Sequence, residues 1–278
     1  MAAATSARMP TLFLAHGSPM NAIEDTPYSR AWHALGKALP RPKAILAISA
    51  HWETHGVGVT AMERPRTIHD FGGFPRALFE VQYPAPGSPA LAARVAELLA
   101  PTTPVIQDTQ AWGLDHGSWS VLVHVYPGAD IPVVQLSLNV DLSAAAHYAL
   151  ARQLRPLRDE GVLIVGFGNI VHNLRTARRG DDAQAYPWAE QFDAAVARAL
   201  EAGDHAAITD WQNLAPQASF SVPSDEHYLP LLYAAGAAEP GEAVSFPTDG
   251  ITWGSLSMRS VGFGLDPAAT TAARAAAG

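Results

Sequence analysis

The chain has 278 residues, 48% of them hydrophobic, which is enough to bury a large core and excludes wholesale disorder. Only 16% are charged, 18 basic against 26 acidic for a net charge of −8, so a sequence-independent nucleic-acid binder, which needs a basic face, is excluded as a leading class. There is no cysteine, which excludes disulfides, thiolate nucleophiles, iron–sulfur clusters and cysteine-ligated zinc and leaves His, Asp and Glu to hold any metal.

No apolar run approaches the ~20 residues of a membrane helix, and residues 1–10 lack the apolar centre of a secretion signal. The reading is a cytoplasmic protein with no membrane partner, beginning with a disordered tail over 1–10. Residues 11–15 (TLFLA) form a short apolar run that predicts a buried strand leading into His16-Gly17. A helix follows over 29–39, with Trp32, Leu35 and Leu39 on one face. Residues 43–50 (KAILAISA) repeat the strand design and end at His51. This strand–helix–strand order is the unit of a parallel sheet.

The pattern continues with helices over 89–99 and 117–126, a strand over 132–138, and a helix over 142–157. A strand over 161–167 ends in Gly168-Asn169, and helices follow over 188–201 and 226–235. Two strand-like stretches lie within 243–263. Residues 266–278, without a bulky apolar side chain after Leu265, are expected to be a flexible tail. The fold class is α/β: one domain over 11–265, with a central, mainly parallel or mixed β-sheet flanked by helices.

The histidines carry the chemical signal. His16 follows the first strand, His51 the second, and His172 lies just past the strand ending in Gly168, while His116 opens a helix. In an open α/β sheet, ligands bind outside the carboxyl ends of the strands, so three strands deliver these imidazoles to one edge. Neutral imidazole is both a metal ligand and a base poised near neutral pH. A lone histidine after a strand is more often a turn residue, and His33, His55, His124, His147 and His205 are read as ordinary structural or surface residues. Gly166-Phe167-Gly168 resembles the start of a dinucleotide fingerprint but lacks its third small residue, and no Walker A or G-x-S-x-G motif is present.

Seven motifs in order resemble one family: HGSPM at 16–20, SAHWE at 49–53, TIHDFGGFP at 67–75, YPAPG at 83–87, GLDHG at 113–117, GNIVHNLR at 168–175 and EHYLPL at 226–231. Together they are similar to the 4,5-DOPA extradiol dioxygenases, of the class III, LigB-like ring-opening type, over about residues 10–265. The resemblance implies a LigB-like fold and a mononuclear metal site in which His16 and His51 match two metal-binding histidines. His227 sits where a further ligand comes from; related enzymes use a carboxylate there, and Glu226 stands beside it as the alternative or as its hydrogen-bonded neighbour. His172 matches the active-site base and could serve as a fourth ligand to zinc, and His116 matches a second active-site histidine that positions substrate or oxygen. His69, Phe71 and Phe74 would line the substrate pocket.

The implied partners are a small catechol and O₂, giving a semialdehyde acid. The implied cofactor is one divalent metal, Fe(II) for activity with Zn(II) expected in purified protein. Two other readings use the same histidines: a zinc hydrolase with Glu226 or Glu53 activating water, and a non-catalytic metal-binding protein.

Overall fold

The computed structural model describes residues 8–178, 180 and 183–278. Its strands are β1 (Thr11–Ala15), β2 (Ala44–Thr54), β3 (Val57–Thr60), β4 (Val105–Asp108), β5 (Val133–Asn139), β6 (Val162–Gly168), β7 (Val244–Ser245), β8 (Ile251–Thr252), β9 (Leu256–Ser257) and β10 (Val261–Phe263). Its α-helices are α1 (Pro27–Ala38), α2 (Arg76–Phe79), α3 (Pro89–Leu99), α4 (His116–Val125), α5 (Ala144–Arg152), α6 (Pro156–Asp159), α7 (Pro187–Glu201), α8 (His205–Thr209), α9 (Ala218–Ser221), α10 (Leu229–Ala237) and α11 (Pro267–Ala277). Among these described residues, no helix is long and apolar enough to cross a membrane.

Eight strands form one sheet in the order β4-β3-β5-β2-β6-β1-β10-β7, and β8 pairs with β9 apart from it. The centre is parallel, β5 to β2, β2 to β6 and β6 to β1, while β10 and β7 add antiparallel strands at one edge. Central strands are apolar on both faces because both faces are covered. Side-chain alternation divides them between two cores. Leu12, Leu14, Ile45 and Ala47 face the core closed by α1, α4 and α11. Phe13, Leu46 and Ile48 face the core closed by α3, α5, α7 and α10. The mixed α/β sheet expected from the sequence is therefore present.

Several expectations require correction. His51 does not follow β2 but lies inside it: the strand continues to Thr54 through a register irregularity between Ile48 and Glu53. The helix expected over 142–157 is two helices, α5 and α6, because Pro156 cannot donate the amide hydrogen that would continue the first. The helix expected from Glu226 starts at Leu229, with Pro230 in its first turn, so His227 precedes it. The region 243–263 holds four short strands, and the short strands β3 and β4 were not expected.

The expected flexible C-terminal tail is the helix α11. Asp266 caps it, accepting from the Ala268 amide, and Ala269 and Ala273 are buried in the same core as α1. Alanine suffices there because a small side chain lets two helices approach closely, so no bulky residue marks the contact. Of the expected N-terminal tail, 1–7 lie outside the described residues, but Met9 is buried. Its amide donates to the Arg158 carbonyl at 3.1 Å, and its own carbonyl accepts from Nε of the buried Arg158 at 2.7 Å.

Candidate metal centre

The sheet order sets β2, β6 and β1 side by side and parallel, so their carboxyl ends open on one place. β1 delivers His16 there, and β2 carries His51. The end of β6 fixes two neighbours through its backbone: the Gly168 carbonyl accepts from the His16 amide at 3.1 Å, and the Asn169 amide donates to the His227 carbonyl at 2.9 Å. A side chain at Gly168 would run into that carbonyl of His227, so glycine is what admits the segment bearing His227. Gly117 has the same function on α4, where a Cβ would stand 2.6 Å from Ser49 Oγ and 2.7 Å from His51 Cδ2.

Five imidazoles converge. His16 and His51 bring their Nε2 atoms to 3.4 Å, and the His16 ring centre is 5.3 Å from that of His227 and 5.7 Å from that of His116. His51 lies 4.0 Å from His116 and 5.0 Å from His227, centre to centre. His172 stacks on His227 at 3.5 Å with the planes 6° apart. Its backbone is held by a 2.9 Å bond from its amide to the Ser221 carbonyl.

The outward-facing nitrogens of His16 and His227 are hydrogen-bonded, which fixes the orientation of those two rings. His16 Nδ1 lies 3.0 Å from the Gly17 carbonyl, and His227 Nδ1 lies 2.9 Å from Glu226 Oε1. His51 Nδ1 is 3.5 Å from Asp70 Oδ2. Nδ1 of His116 is 3.0 Å from the same Asp70 oxygen but off the line of a good hydrogen bond. His227 Nε2 is buried and has no hydrogen-bond partner. An orphaned buried nitrogen costs stability unless something binds it. A cation bound between these Nε2 atoms would satisfy it, and a carboxylate or carbonyl on the far nitrogen is the usual support of a metal-ligating histidine.

The protonation states suit the same role. Burial, and next the neighbouring His51, hold His16 well below the usual histidine range. Burial and then His172 do the same to His227. Burial and His116 pull His51 down to about 3, against a raising effect of Asp70. Burial, helped by His116, brings His172 to about 4. At neutral pH these rings are uncharged and present free lone pairs.

The compact trios differ in one respect from the expected ligand set of His16, His51 and His227. The ligand atoms that lie within 4.8 Å of one another are those of His16, His51 and His116, and, separately, those of His172, Glu226 and His227. His116 joins the first trio because its ring packs closely on His51. Phe71 sets its edge against His116 at 5.4 Å and meets Phe74 at 5.4 Å. His69 is turned aside: its Nε2 lies 2.9 Å from the Val81 carbonyl, and its ring packs on Trp119. Away from the cluster, buried His147 meets the Tyr233 hydroxyl at 3.0 Å.

The sequence assigns Asp70 no role beyond its place in the motif at 67–75, and it does not show a buried network beneath the site. Asp115, fully buried, caps α4, accepts from Ser49 Oγ at 2.7 Å and pairs with Gln135 Nε2. Burial, and next the charge of Asp70, push its carboxyl up. The network ties the strand of His51 to the helix of His116. Its members are far apart in the chain, and only the cap spacing from Asp115 to Ser118 is visible beforehand.

Residues 10–264 match the family described as the catalytic LigB subunit of aromatic ring-opening dioxygenase. A protein of Escherichia coli (strain K12) named 4,5-DOPA dioxygenase extradiol is 53% identical over 94% of this chain and 96% of its own. One of the same name from Beta vulgaris is 42% identical over 82% of this chain and 86% of its own. A crystal structure of an uncharacterized protein from Escherichia coli K12 superposes with a TM-score of 0.81 at 48% identity, covering 92% of this chain and 100% of that one. The chain belongs to the LigB family of aromatic ring-opening dioxygenases, a metal-dependent family, and its own histidine cluster could hold a metal ion.

Proposed function

We propose that this protein is an extradiol dioxygenase that opens a small, DOPA-like catechol with O₂ to a semialdehyde acid, in the cytoplasm. The observation that carries the reading is the orphaned Nε2 of His227, buried beside the facing Nε2 atoms of His16 and His51. These three histidines would hold one divalent metal. We assign Fe(II) to the active enzyme and Zn(II) to an inert form, with His172 as its fourth ligand, because zinc has no accessible redox change. Bound by these residues, Fe(II) would supply the redox chemistry that reaction with O₂ needs, and the site would hold the two reactants together.

The chain's own groups supply the rest. His172, neutral and stacked on His227, accepts a proton from a catechol hydroxyl. His116, held by Asp70, positions the second reactant. Phe71 and Phe74 pack on the ring, with His69 completing the loop behind them. The carbon–carbon bond next to the diol breaks, one oxygen atom going to each of its carbons. The hydroxyl-bearing carbon becomes a carboxylate and its neighbour an aldehyde.

A zinc hydrolase needs a carboxylate free to activate water. Glu226 Oε1 is engaged by His227 Nδ1 at 2.9 Å and accepts from Ser224 Oγ at 3.1 Å, which favours an orienting role for Glu226. A metal carrier has no use for His116 and His172. The test is oxygen uptake by protein stripped of metal and reloaded anaerobically with Fe(II). Near one O₂ per catechol, a yellow product and no uptake by the zinc form are expected. No uptake across a catechol panel, with iron bound, overturns the reading.

A further inference from the structure

Asn169 is buried just past the carboxyl end of β6, and its side chain has no part in the chemistry derived above. The parallel ladder of β1 and β6 ends at the pair Ala15 and Gly168. Gly17 then adopts a left-handed backbone (φ 59°) and turns the chain away from the sheet. Its amide is met by a side chain where a further backbone rung would stand: Asn169 Oδ1 accepts from it at 3.4 Å. The other end of the same amide group, Nδ2, donates to the Ser257 carbonyl at 2.7 Å. A reversed amide would set oxygen against the Ser257 carbonyl and nitrogen against the Gly17 amide, so the two partners fix which way the group points.

Ser257 belongs to β9, and β9 also holds the segment that carries His172. The Ser257 amide donates to the Val171 carbonyl at 3.0 Å, Leu256 forms an antiparallel bridge with His172, and Ser255 Oγ donates to the Asn173 carbonyl at 2.8 Å. β9 is anchored in turn to α7. Ser257 Oγ donates to Oδ1 of the buried Asp193 at 2.5 Å, and Asp193 Oδ2 accepts from Nε and Nη2 of Arg259 at 2.9 and 2.6 Å. A charge-assisted pair of this kind is stronger than neutral hydrogen bonds and holds the strand firmly.

Resting on the ring-opening reading, in which His16 holds the metal and His172 is the base, we propose that Asn169 is the positioning residue that keeps these two histidines in register. Its side chain ties the turn after His16 to the strand that pairs with His172, while its backbone amide holds the His227 carbonyl at 2.9 Å. Three histidine-bearing segments that are distant in the chain thus meet at one residue. Removing the side chain leaves the Gly17 amide and the Ser257 carbonyl buried without these partners, and the two segments separate to find others.

The test compares wild type with Asn169→Ala. Asn169→Ser, whose hydroxyl satisfies one of the two partners at most, guards against a folding failure of the alanine variant. Nuclear magnetic resonance of isotope-labelled histidine rings in the metal-free proteins reads each imidazole separately. The ring signals of His16 and His172 are expected to move in both variants, while that of His147, buried on α5 against Tyr233, stays in place. Cobalt(II), added alone as the probe and measured by chelator competition, is expected to bind with a Kd about 10- to 100-fold higher in Asn169→Ala, the usual cost of losing support behind a metal ligand. Unmoved His16 and His172 signals, or a cobalt Kd equal to that of a metal-binding wild type, overturns the assignment. A shift of His147 as large as theirs also overturns it, since that marks a general loss of packing. If the His16 and His172 signals move alone while wild type binds neither cobalt nor iron, the positioning role stands and the metal reading of the centre fails.

Discussion

Asp70 holds His116 at two points. One carboxylate oxygen accepts from the His116 backbone amide at 2.8 Å, and the other stands 3.0 Å from its ring Nδ1. That second oxygen is also 3.5 Å from His51 Nδ1, so one carboxylate faces both rings. Asp70→Asn keeps the shape and removes the charge. Metal affinity is expected to fall by about 10- to 100-fold, the usual cost of losing a carboxylate behind a ligating histidine. Competition against a chelator of known affinity measures it. An affinity equal to wild type means that His51 needs no such support.

His172 and His227 stack face to face but are assigned different work. His227→Ala removes a proposed ligand, so the iron form should lose its metal on dialysis. His172→Ala should retain iron and lose turnover by roughly 10²-fold or more, the scale of a positioned general base. Iron content and oxygen uptake, measured on the same samples, separate the two. Normal turnover by His172→Ala would show that the proton goes elsewhere.

Gly168 is where β6 and the segment bearing His227 meet. Gly168→Ala places a methyl group against the His227 carbonyl and forces the two apart. A loss of about 1–3 kcal/mol of stability is expected from overpacking at such a contact, with weakened metal retention because His227 moves. Urea unfolding and metal content check the two effects. A variant as stable as wild type would mean that the backbone yields there at no cost.

The parts of the fold visible in the sequence were those written in local pattern. TLFLA and GVLIVGF read as strands because both faces of the central sheet are covered, and PALAARVAELL reads as a helix from its alanine and leucine content. His16 and His172 were legible from their places at strand ends. His51 was found for a partly wrong reason, since the strand runs past it. The docking of α11 left no trace because its contacts are alanines. The pairing of Asp70 with His116, 46 residues apart in the chain, is purely tertiary. The seven motifs supplied His227 and the link to chemistry, which spacing alone leaves open.

His147 gives a pH test away from the metal centre. It is fully buried, and desolvation lowers its pKa from 6.5 to about 4. The folded state therefore prefers the neutral ring. The resulting stability is fully present above the unfolded value of 6.5 and is lost as pH falls from there toward 4. At pH 5 the loss from this one residue is about 2 kcal/mol. His147→Gln, which does not titrate, should lose less stability than wild type between pH 7 and pH 5 by about that amount, measured by urea unfolding of the metal-free proteins. Parallel pH profiles would mean that the ring protonates without penalty.

The central claim is that both atoms of O₂ enter a ring opened beside its diol. The direct measurement is turnover by the Fe(II) form under isotopically labelled O₂, with mass spectrometry of the product. The account predicts two labelled atoms in a single ring-opened semialdehyde acid before any exchange of the aldehyde oxygen with water. An unlabelled quinone with O₂ reduced to peroxide, or a dicarboxylic acid from cleavage between the hydroxyls, would contradict it.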